Sequence, residues 1–523
     1  MMPPLRLSLD QLDPALLAGG RIGVEKESLR VGSDGRISQR DHPTDLGSAL
    51  THPYITTDYA EALIEFVTPV CSTASEVRSF LQGLHQFTYQ RLNEETLWAT
   101  SMPCMVGSEQ SIRIAEYGHS NIGMMKHIYR RGLGYRYGRI MQTIAGIHFN
   151  YSLADDLVAR LTADHAPHHA GDAPADALYL GMIRNFQRLG WLICYLFGAS
   201  PAVCTSFLHG REHPFDQFDY GTVYLPHATS LRMSDIGYKN KNQTALAIDY
   251  NSLDGYIRTL RRAIQTPAPE YEKIGIKVDG QYRQLNANLL QIENEYYSFV
   301  RPKQPTRSGE KPTNALSQRG VQYVEMRALD LCVFDPVGVS ESRLRFLQTF
   351  LLYCAMLESP PFSTAELEQI NANQALVATH GRQPGLELQR GEGAIRLQDW
   401  AREVAKALEQ VAERMDEAAP GATGFAQAVR EQRPAIENPE LTPSARILAE
   451  MRDREETFFA LARRYSEAHR ETLLAAPQDG AIKTLLEQCT WDSLQAQQDL
   501  EDRDTLSFDE FLAAYFEDRL PLG

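Results

Sequence analysis

The chain has 523 residues, of which 43% are hydrophobic and 23% charged, and these fractions are typical of a globular protein rather than a disordered or fibrous one. The formal net charge of -15 disfavours nucleic acid as a partner, so an anionic ligand must be held by local basic residues or by metal. The N-terminus lacks the apolar run of a signal peptide, and the most apolar segment, residues 191–204, is too short to cross a bilayer. We therefore expect a cytoplasmic protein with no membrane segment.

Five segments have the alternating pattern of β-strands, and long helical or loop stretches separate them. Residues 120–138 and 180–197 have a mainly helical pattern. From about residue 392, Leu397, Trp400 and Val404 begin an amphipathic helical pattern, and further helices follow. This order predicts an α+β fold with one sheet built from distant segments, and a division into residues 1–390 and a helical C-terminal region, 391–523. The predicted strands are 22–31, 61–68, 143–151, 286–297 and 322–329.

The predicted strands carry acidic side chains on one face, because residues two apart in a strand point the same way. Taken singly, each strand is better explained by an amphipathic sheet with one solvated face. Taken together, the five polar faces hold carboxylates, one histidine, one asparagine and one arginine, and no lysine. Such oxygen ligands with one imidazole suit Mg²⁺ or Mn²⁺, and a carboxylate cradle of this kind indicates polyphosphate binding. The shared faces are Glu25/Glu27, Glu61/Glu65, His148/Asn150, Glu293/Glu295/Tyr297 and Glu325/Arg327.

The sequence lacks both common glycine-rich nucleotide loops, the G-x-x-x-x-G-K-[ST] segment and a G-x-G-x-x-G after a strand. Phosphates must therefore be held by metal and by basic side chains. Each basic cluster is as well explained by surface salt bridges as by anion binding. The clusters are Arg130/Arg131/Arg136/Arg139, Arg232/Lys239/Lys241 and Arg301/Lys303/Arg307/Lys311.

Several long strings resemble the proteobacterial glutamate–cysteine ligases in colinear order from about residue 20 to about residue 390. The strings include GVEKESLRV, MQTIAGIHFNYSL, ATSLRMSDIGY, LQIENEYYSFVRPK and YVEMRALD. The resemblance implies a glutamine-synthetase-like core, in which a curved, mainly antiparallel sheet forms an active-site funnel surrounded by helices. It also implies that the substrates are ATP, L-glutamate and L-cysteine. It implies further that glutathione is a feedback inhibitor and that the protein is a monomer.

The resemblance further implies roles for residues in the matching motifs. The implied metal ligands, for Mg²⁺ or Mn²⁺, are Glu25, Glu27, Asp58, Glu65, His148 and Glu325. The implied amino-acid contacts are Tyr59, Tyr129, Arg130, Leu133, Gln142, Arg232, Tyr238 and Tyr297. The implied nucleotide contacts are Asn150, Arg301, Lys303 and Arg327, of which Arg327 contacts the transferring phosphoryl group, and Asp58 is the candidate base for the cysteine amine.

The seven cysteines are scattered and form no CxxC pair, which argues against a disulfide framework. Some relatives carry a second cysteine in the region corresponding to residues 157–177, placed to pair with the cysteine of the SMPC motif. This chain has none there. We therefore expect Cys104 to be a free thiol without redox control by that route.

Three alternatives remain at the level of sequence. A related carboxylate–amine ligase or guanidine kinase of the same fold would use a different acceptor. A non-catalytic homologue would need the loss of a ligand, and every implied ligand position is intact. A metal-dependent hydrolase could share the carboxylate cradle, but it would not explain the matching strings.

Overall fold

The structure is a computed structural model that describes residues 3–163, 167–169, 171–237, 246, 248–418 and 424–520. Its centre is a seven-stranded antiparallel sheet in the order β11-β12-β5-β1-β3-β2, with β4 paired to β1. The strands are β1 (Arg21–Val31), β2 (Ile55–Thr57), β3 (Leu63–Val67), β4 (Thr96–Leu97), β5 (Ile147–Ser152), β6 (Ala202–Cys204), β7 (Asp216–Asp219), β8 (Thr222–Tyr224), β9 (Lys277–Val278), β10 (Gln281–Tyr282), β11 (Val300–Lys303), β12 (Tyr323–Leu329), β13 (Glu387–Arg390) and β14 (Gly393–Arg396).

Helices surround this sheet, so the fold is α+β, as predicted. The α-helices are α1 (Pro14–Ala18), α2 (Ala74–Tyr89), α3 (Asn121–Tyr137), α4 (Asp155–Thr162), α5 (Pro174–Leu189), α6 (Trp191–Phe197), α7 (Thr205–Leu208), α8 (Leu253–Gln265), α9 (Pro269–Glu272), α10 (Pro312–Arg319), α11 (Glu341–Met356), α12 (Thr364–His380), α13 (Leu397–Asp416), α14 (Phe425–Arg430), α15 (Arg433–Glu437), α16 (Pro443–Asp453), α17 (Phe458–Ala475), α18 (Gly480–Arg503) and α19 (Phe508–Phe516). Short 3₁₀ helices lie at Leu9–Gln11, Thr44–Leu46, Glu109–Ser111, Met141–Thr143, Leu231–Met233, Glu293–Glu295 and Pro439–Leu441.

The apolar face of the sheet forms the core. Val24, Phe149 and Met326 come from three adjacent strands and are fully buried. Helices α5, α6 and α11 contact the sheet, and α6 is buried along its whole length. Burying one face of each strand leaves the opposite face, with its acidic residues, for the site.

The C-terminal helices share this core. Trp400 of α13 packs on Trp191 of α6 with ring centroids 4.9 Å apart, and Leu388 and Leu408 belong to the same buried cluster as Phe350. The division of the chain near residue 390 stays a prediction. Among the residues described, no helix combines the length and the apolar character needed to span a membrane.

Four of the five predicted strands are confirmed as β1, β3, β5 and β12, with bounds shifted by up to four residues. The predicted helix at 120–138 is confirmed as α3, whose first turn is capped by the Ser120 side chain accepting from the Gly123 N–H. The amphipathic pattern from residue 397 is confirmed as α13.

The predicted strand at 286–297 is wrong. Asn and Gln side chains form hydrogen bonds with the local backbone there, and these compete with the inter-strand hydrogen bonds of a sheet. The Asn286 amide donates to the Gln291 carbonyl at 2.9 Å, and the Gln291 side chain accepts from the Leu285 N–H at 3.0 Å. Glu293 and Glu295 therefore lie in a 3₁₀ turn and not on a face of the sheet.

Glu61 also departs from its predicted place. It precedes β3 instead of lying in it, and its carboxylate accepts from the backbone N–H groups of His42 and Glu116, both at 2.8 Å. The Glu61 side chain therefore holds two loops together, and it is not part of the acidic face.

The expectation that Cys104 is a free thiol is wrong. Cys104 and Cys204 form a disulfide with Cα atoms 5.4 Å apart, within the range that a disulfide bridges. The partner lies 100 residues away at the end of β6, and not in the region that the family resemblance indicated. Cys71, Cys332, Cys354 and Cys489 are free thiols.

The disulfide should stabilise the fold, because it closes a loop of 100 residues in the unfolded chain. We expect Cys204→Ala to lower the free energy of unfolding by about 4 kcal/mol under non-reducing conditions. Denaturant unfolding checks this, with Cys489→Ala, a half-buried free cysteine, as the control. A difference of the same size after full reduction of both proteins would contradict it.

His52 should make stability depend on pH. Its Nδ1 accepts from the backbone N–H groups of Tyr54 at 3.1 Å and Ile55 at 2.9 Å, and burial lowers its pKa to about 4. Because the pKa is near 6.5 in the unfolded chain, this contribution is full above that pH and is lost as the pH falls towards 4. We expect the wild type to lose about 2 kcal/mol more stability than His52→Asn between about pH 7.5 and about pH 5.

Asn offers its side-chain oxygen to the same two N–H groups and does not titrate in this range. Urea unfolding of both proteins at the two pH values makes the comparison. Equal losses in the two proteins would show that His52 is not the group responsible.

Candidate active site

The strand register brings the acidic side chains into one row across the sheet. Glu27 is opposite Glu65 on β3, Glu25 is opposite His148 on β5, and Asn150 is opposite Glu325 on β12. Ligand atoms of Glu25, Glu65 and His148 all lie within 4.8 Å of one another. The row is therefore a candidate site for divalent metal.

Hydrogen bonds orient this row. The Glu25 carboxylate lies 3.1 Å from His148 Nδ1 and accepts from the Asn150 amide at 3.0 Å. Glu27 accepts from the Gly146 N–H at 2.6 Å and lies 3.7 Å from His148 Nε2. His148 Nε2 is buried without a hydrogen-bond partner. Burial and, to a smaller extent, the positive charge of Arg327 lower the pKa of His148. The ring is therefore neutral and has a lone pair available for metal.

The electrostatics of the row fit a bound cation. Burial and the nearby Asp58 raise the pKa of Glu27 to about 8. Burial and the neighbouring carboxylates of Glu25, Asp58 and Glu27 raise the pKa of Glu65 well above its usual range. Carboxylates that raise one another's pKa become stable as anions when a cation lies among them. The donor set of hard oxygens with one imidazole suits Mg²⁺ or Mn²⁺.

The β12 end of the row has its own cations. Lys303 lies 3.3 Å from Glu325 Oε1, and Arg327 lies 3.3 Å from Glu325 Oε2. Burial alone would raise the pKa of Glu325, but Lys303 and Arg327 hold it well below its usual range. Arg327 Nη1 also lies 3.4 Å from His148 Nδ1. The row therefore changes from excess negative charge near Glu65 to balanced charge near Glu325.

A cavity of about 380 Å³ opens beside the row, with Glu27, Asp58 and Arg327 in its wall. Its size suits small metabolites. Six of the eight residues predicted to contact amino acids line it: Tyr59, Tyr129, Arg130, Leu133, Gln142 and Tyr297. The Tyr297 hydroxyl donates to the Gln142 side chain at 3.1 Å, which joins two walls of the cavity.

The other two predicted amino-acid contacts are placed differently. Arg232 is fully buried, donates to the Arg327 carbonyl at 2.9 Å and lies 3.5 Å from Asp330, so it supports β12 from outside the cavity. A Cβ on Gly146 would lie 2.0 Å from Arg232 Nη2, so glycine is needed at this close approach. Tyr238 falls outside the described residues.

The predicted nucleotide residues other than Arg327 do not line this cavity. Asn150 and Lys303 contact the acidic row through Glu25 and Glu325. The Arg301 guanidinium donates to the backbone carbonyls of Tyr296 and, at 3.2 Å, Asn294.

Helix α3 supplies much of the cavity wall. Arg130 donates to the Asp58 carbonyl and lies over the Tyr117 ring at 4.8 Å, which orients the Asp58 loop. Arg136 forms a fully buried ion pair with Glu295 at 2.9 Å, and Glu295 also accepts from the Tyr137 hydroxyl at 2.6 Å.

Sequence reasoning did not assign eight lining residues to the site. Arg136 belonged to a basic cluster, and Asp235 and Gly237 lie in the matching string ATSLRMSDIGY, so both features were usable signals. Arg211 had no signal, because it lies in a loop outside the quoted strings. These eight residues are Arg136, Tyr137, Met141, Ile144, Arg211, Asp235, Gly237 and Asn294.

The Arg136–Glu295 pair should be required for the cavity wall. We expect Glu295→Gln to lower the free energy of unfolding by about 3 kcal/mol, because it leaves the buried Arg136 without its opposite charge. Urea unfolding checks this, with Glu387→Gln as an exposed glutamate control. Equal stability of Glu295→Gln and the wild type would show that the pair is not needed.

Comparison with known proteins places the chain among enzymes of one kind. The family described as glutamate–cysteine ligase matches residues 6–377. A glutamate–cysteine ligase of Alcanivorax borkumensis is 48% identical over 513 residues, covering 96% of this chain and 97% of that protein. One from Pseudomonas putida is 46% identical over 510 residues, covering 98% of this chain and 97% of that protein.

Solved structures agree with these relatives. The glutamate–cysteine ligase of Francisella tularensis, solved in complex with AMP, aligns with a TM-score of 0.90 at 33% identity, covering 96% of this chain and 98% of that one. A bifunctional glutathione synthetase from Pasteurella multocida aligns with a TM-score of 0.70 at 26% identity, covering 88% of this chain and 53% of that one. The chain belongs to the glutamate–cysteine ligase family.

Proposed function

We propose that this chain joins the γ-carboxylate of L-glutamate to the amine of L-cysteine with hydrolysis of ATP to ADP and phosphate. The product is γ-glutamylcysteine, and the reaction is the first step of glutathione biosynthesis. The observation that carries the proposal is the acidic row with His148, which adjoins Arg327 in the wall of a cavity of about 380 Å³. Family membership and the AMP complex of the Francisella relative support it.

Six side chains would hold divalent metal, with Glu25, Glu65 and His148 as the closest group. Glu27, Asp58 and Glu325 would complete the set, because the first two adjoin the cavity and the third lies 3.9 Å from His148 Nδ1. When bound, Mg²⁺ (or Mn²⁺) supplies positive charge to the polyphosphate oxygens of ATP.

Arg327 is positioned for phosphoryl transfer, because it lies between the acidic row and the cavity. An oxygen of the glutamate γ-carboxylate attacks the γ-phosphorus of ATP, and ADP leaves. The Arg327 guanidinium stabilises the negative charge that develops on the phosphoryl oxygens. Asn150, Arg301 and Lys303 would contact the nucleotide, and their absence from the cavity wall supports a nucleotide site separate from the amino-acid site.

The cavity residues serve the second step. The product of the first step, γ-glutamyl phosphate, is a mixed anhydride that water would hydrolyse, so the apolar side chains of Leu133 and Ile144 help to exclude water. The cysteine nitrogen attacks the γ-carbonyl carbon, phosphate leaves, and Asp58 takes the proton of the amine. Tyr59, Tyr129, Arg130, Gln142 and Tyr297 would bind the two amino acids, with Tyr238 as a further contact. Arg232 would act indirectly, by holding the backbone of Arg327.

Four further statements belong to this proposal and rest on the family resemblance and the sequence. The protein acts as a monomer in the cytoplasm. Glutathione inhibits it, because glutathione contains the product and can fill the same cavity. The C-terminal region, 391–523, is a helical subdomain packed on the catalytic core.

ADP release measures the function directly. With ATP, Mg²⁺ and L-glutamate, we expect turnover to depend on L-cysteine. We expect Glu325→Gln to reduce turnover at least about a hundredfold, because Lys303 and Arg327 lose the carboxylate that orients them.

Glu387→Gln, an exposed glutamate, is the control, and thermal unfolding verifies that Glu325→Gln is folded. Turnover that ignores L-cysteine would reject the acceptor and favour another ligase of this fold. Full activity of Glu325→Gln would reject the assignment of the acidic row.

A further inference from the structure

A second cavity of about 380 Å³ lies between the N-terminal segment and α5, and it shares no lining residue with the first. The N-terminal segment is fixed there by the Arg6 N–H, which donates to the Met356 carbonyl at 2.8 Å. Two arginines, Arg6 and Arg184, line this cavity.

Arg184 is a buried cation that forms no ion pair with a described carboxylate. It is 2% exposed, and its guanidinium donates to the carbonyls of Tyr250 and Ser359, both at 2.9 Å. Arg6 donates to the Leu357 carbonyl at 3.3 Å. No described carboxylate oxygen lies within 4.0 Å of either guanidinium. Backbone carbonyls and the Ser359 hydroxyl accept hydrogen bonds from four of the five Arg184 N–H groups. The carboxylates that act on the two charges, Glu358 on Arg6 and Asp172 on Arg184, lie beyond ion-pair distance.

The two guanidinium groups converge over a glycine. A Cβ on Gly181 of α5 would lie 3.3 Å from Arg6 Nη2 and 3.7 Å from Arg184 Nη2. The same Cβ would lie 3.4 Å from Ser359 Cβ, so the missing side chain lets both guanidinium groups lie close to the helix backbone. Like charges held this close repel each other unless an anion lies between them, and the pKa of Arg184 is lowered to about 10 by burial, Arg188 and Arg6.

The same cavity contains two carboxylates, Asp172 and Glu358, and neither forms an ion pair with a described residue. The cavity thus holds equal numbers of unpaired guanidinium groups and carboxylates, separated from each other. Apolar atoms of Leu178, Pro167 and Pro360 form another part of the wall.

We propose that this cavity is a binding site for a free α-amino acid with an apolar side chain. The ligand carboxylate bridges Arg6 and Arg184 in the cavity wall, because two guanidinium groups are suited to a carboxylate. Its ammonium group faces Asp172 and Glu358, and its side chain packs on the apolar wall. The site is independent of the proposed ligase reaction, whose substrates glutamate and cysteine bind in the first cavity.

L-Valine is the probe, and calorimetric titration of the full chain measures its binding. We expect valine to bind saturably. We expect L-valinamide, which lacks the carboxylate, and isovalerate, which lacks the ammonium group, each to bind at least tenfold more weakly than valine. Valinamide binding as tightly as valine, or no saturable binding of valine, would overturn the proposal. If Arg184 serves only to hold backbone carbonyls in place, valine does not bind saturably.

Two variants locate the site. Gly181→Ala puts a methyl group against both guanidinium groups and shifts them while favouring the helix, and Arg6→Gln removes the more accessible cation. We expect both to weaken valine binding at least tenfold. Arg36→Gln, an exposed arginine elsewhere, and Arg327→Gln, in the first cavity, should bind valine like the wild type. Loss of binding in Arg327→Gln, with normal binding in Gly181→Ala, would place valine in the first cavity and overturn the proposal.

Discussion

The crowding of carboxylates on one face of the central sheet is the constraint on which the site depends. Glu27 and Glu65 are cross-strand partners, and Glu25 lies two residues along β1 on the same face. Like charges at this spacing in a poorly solvated place are costly unless cations join them. The ion pairs of Lys303 and Arg327 lie at the Glu325 end. At the Glu65 end the pKa of the carboxyl is raised well above its usual range, which fits a site for a divalent cation.

The same register that gathers the acids also builds the core. Val24 lies between Glu25 and Gly23 on β1, and Phe149 lies between His148 and Asn150 on β5, with their side chains on the buried face. A slip of one residue between β1 and β5 would exchange the two faces and bury carboxylates among apolar side chains. Packing of the core therefore holds the acidic side chains in place.

The cavity beside the acidic row depends on contacts between distant parts of the chain. Arg130 of α3 holds the Asp58 loop, and Arg136 of the same helix holds Glu295. Buried charges of this kind are weak contributors to net stability, but they select one arrangement of the loops, because any other arrangement leaves a charge without a partner. The placement of α3 therefore sets the shape of the cavity next to Arg327.

The sequence by itself determined the α+β class, four strands of the sheet, α3 and the acidic face, because strand and helix periodicity are local properties of the chain. Local reasoning failed at residues 286–297, where Asn286 and Gln291 bond the backbone in place of a neighbouring strand. It also failed at Cys104, whose partner lies 100 residues away.

Only the tertiary structure decided which loop residues reach the cavity. Arg211 and Asp235 stand in segments without periodicity, so their place depends on how β6, α7 and the following loops pack. The same holds for Arg6 and Arg184, which meet because the N-terminal segment pairs with residues 356–358. Spacing along the chain carries no information about such encounters, since they are set by the packing of whole elements against one core.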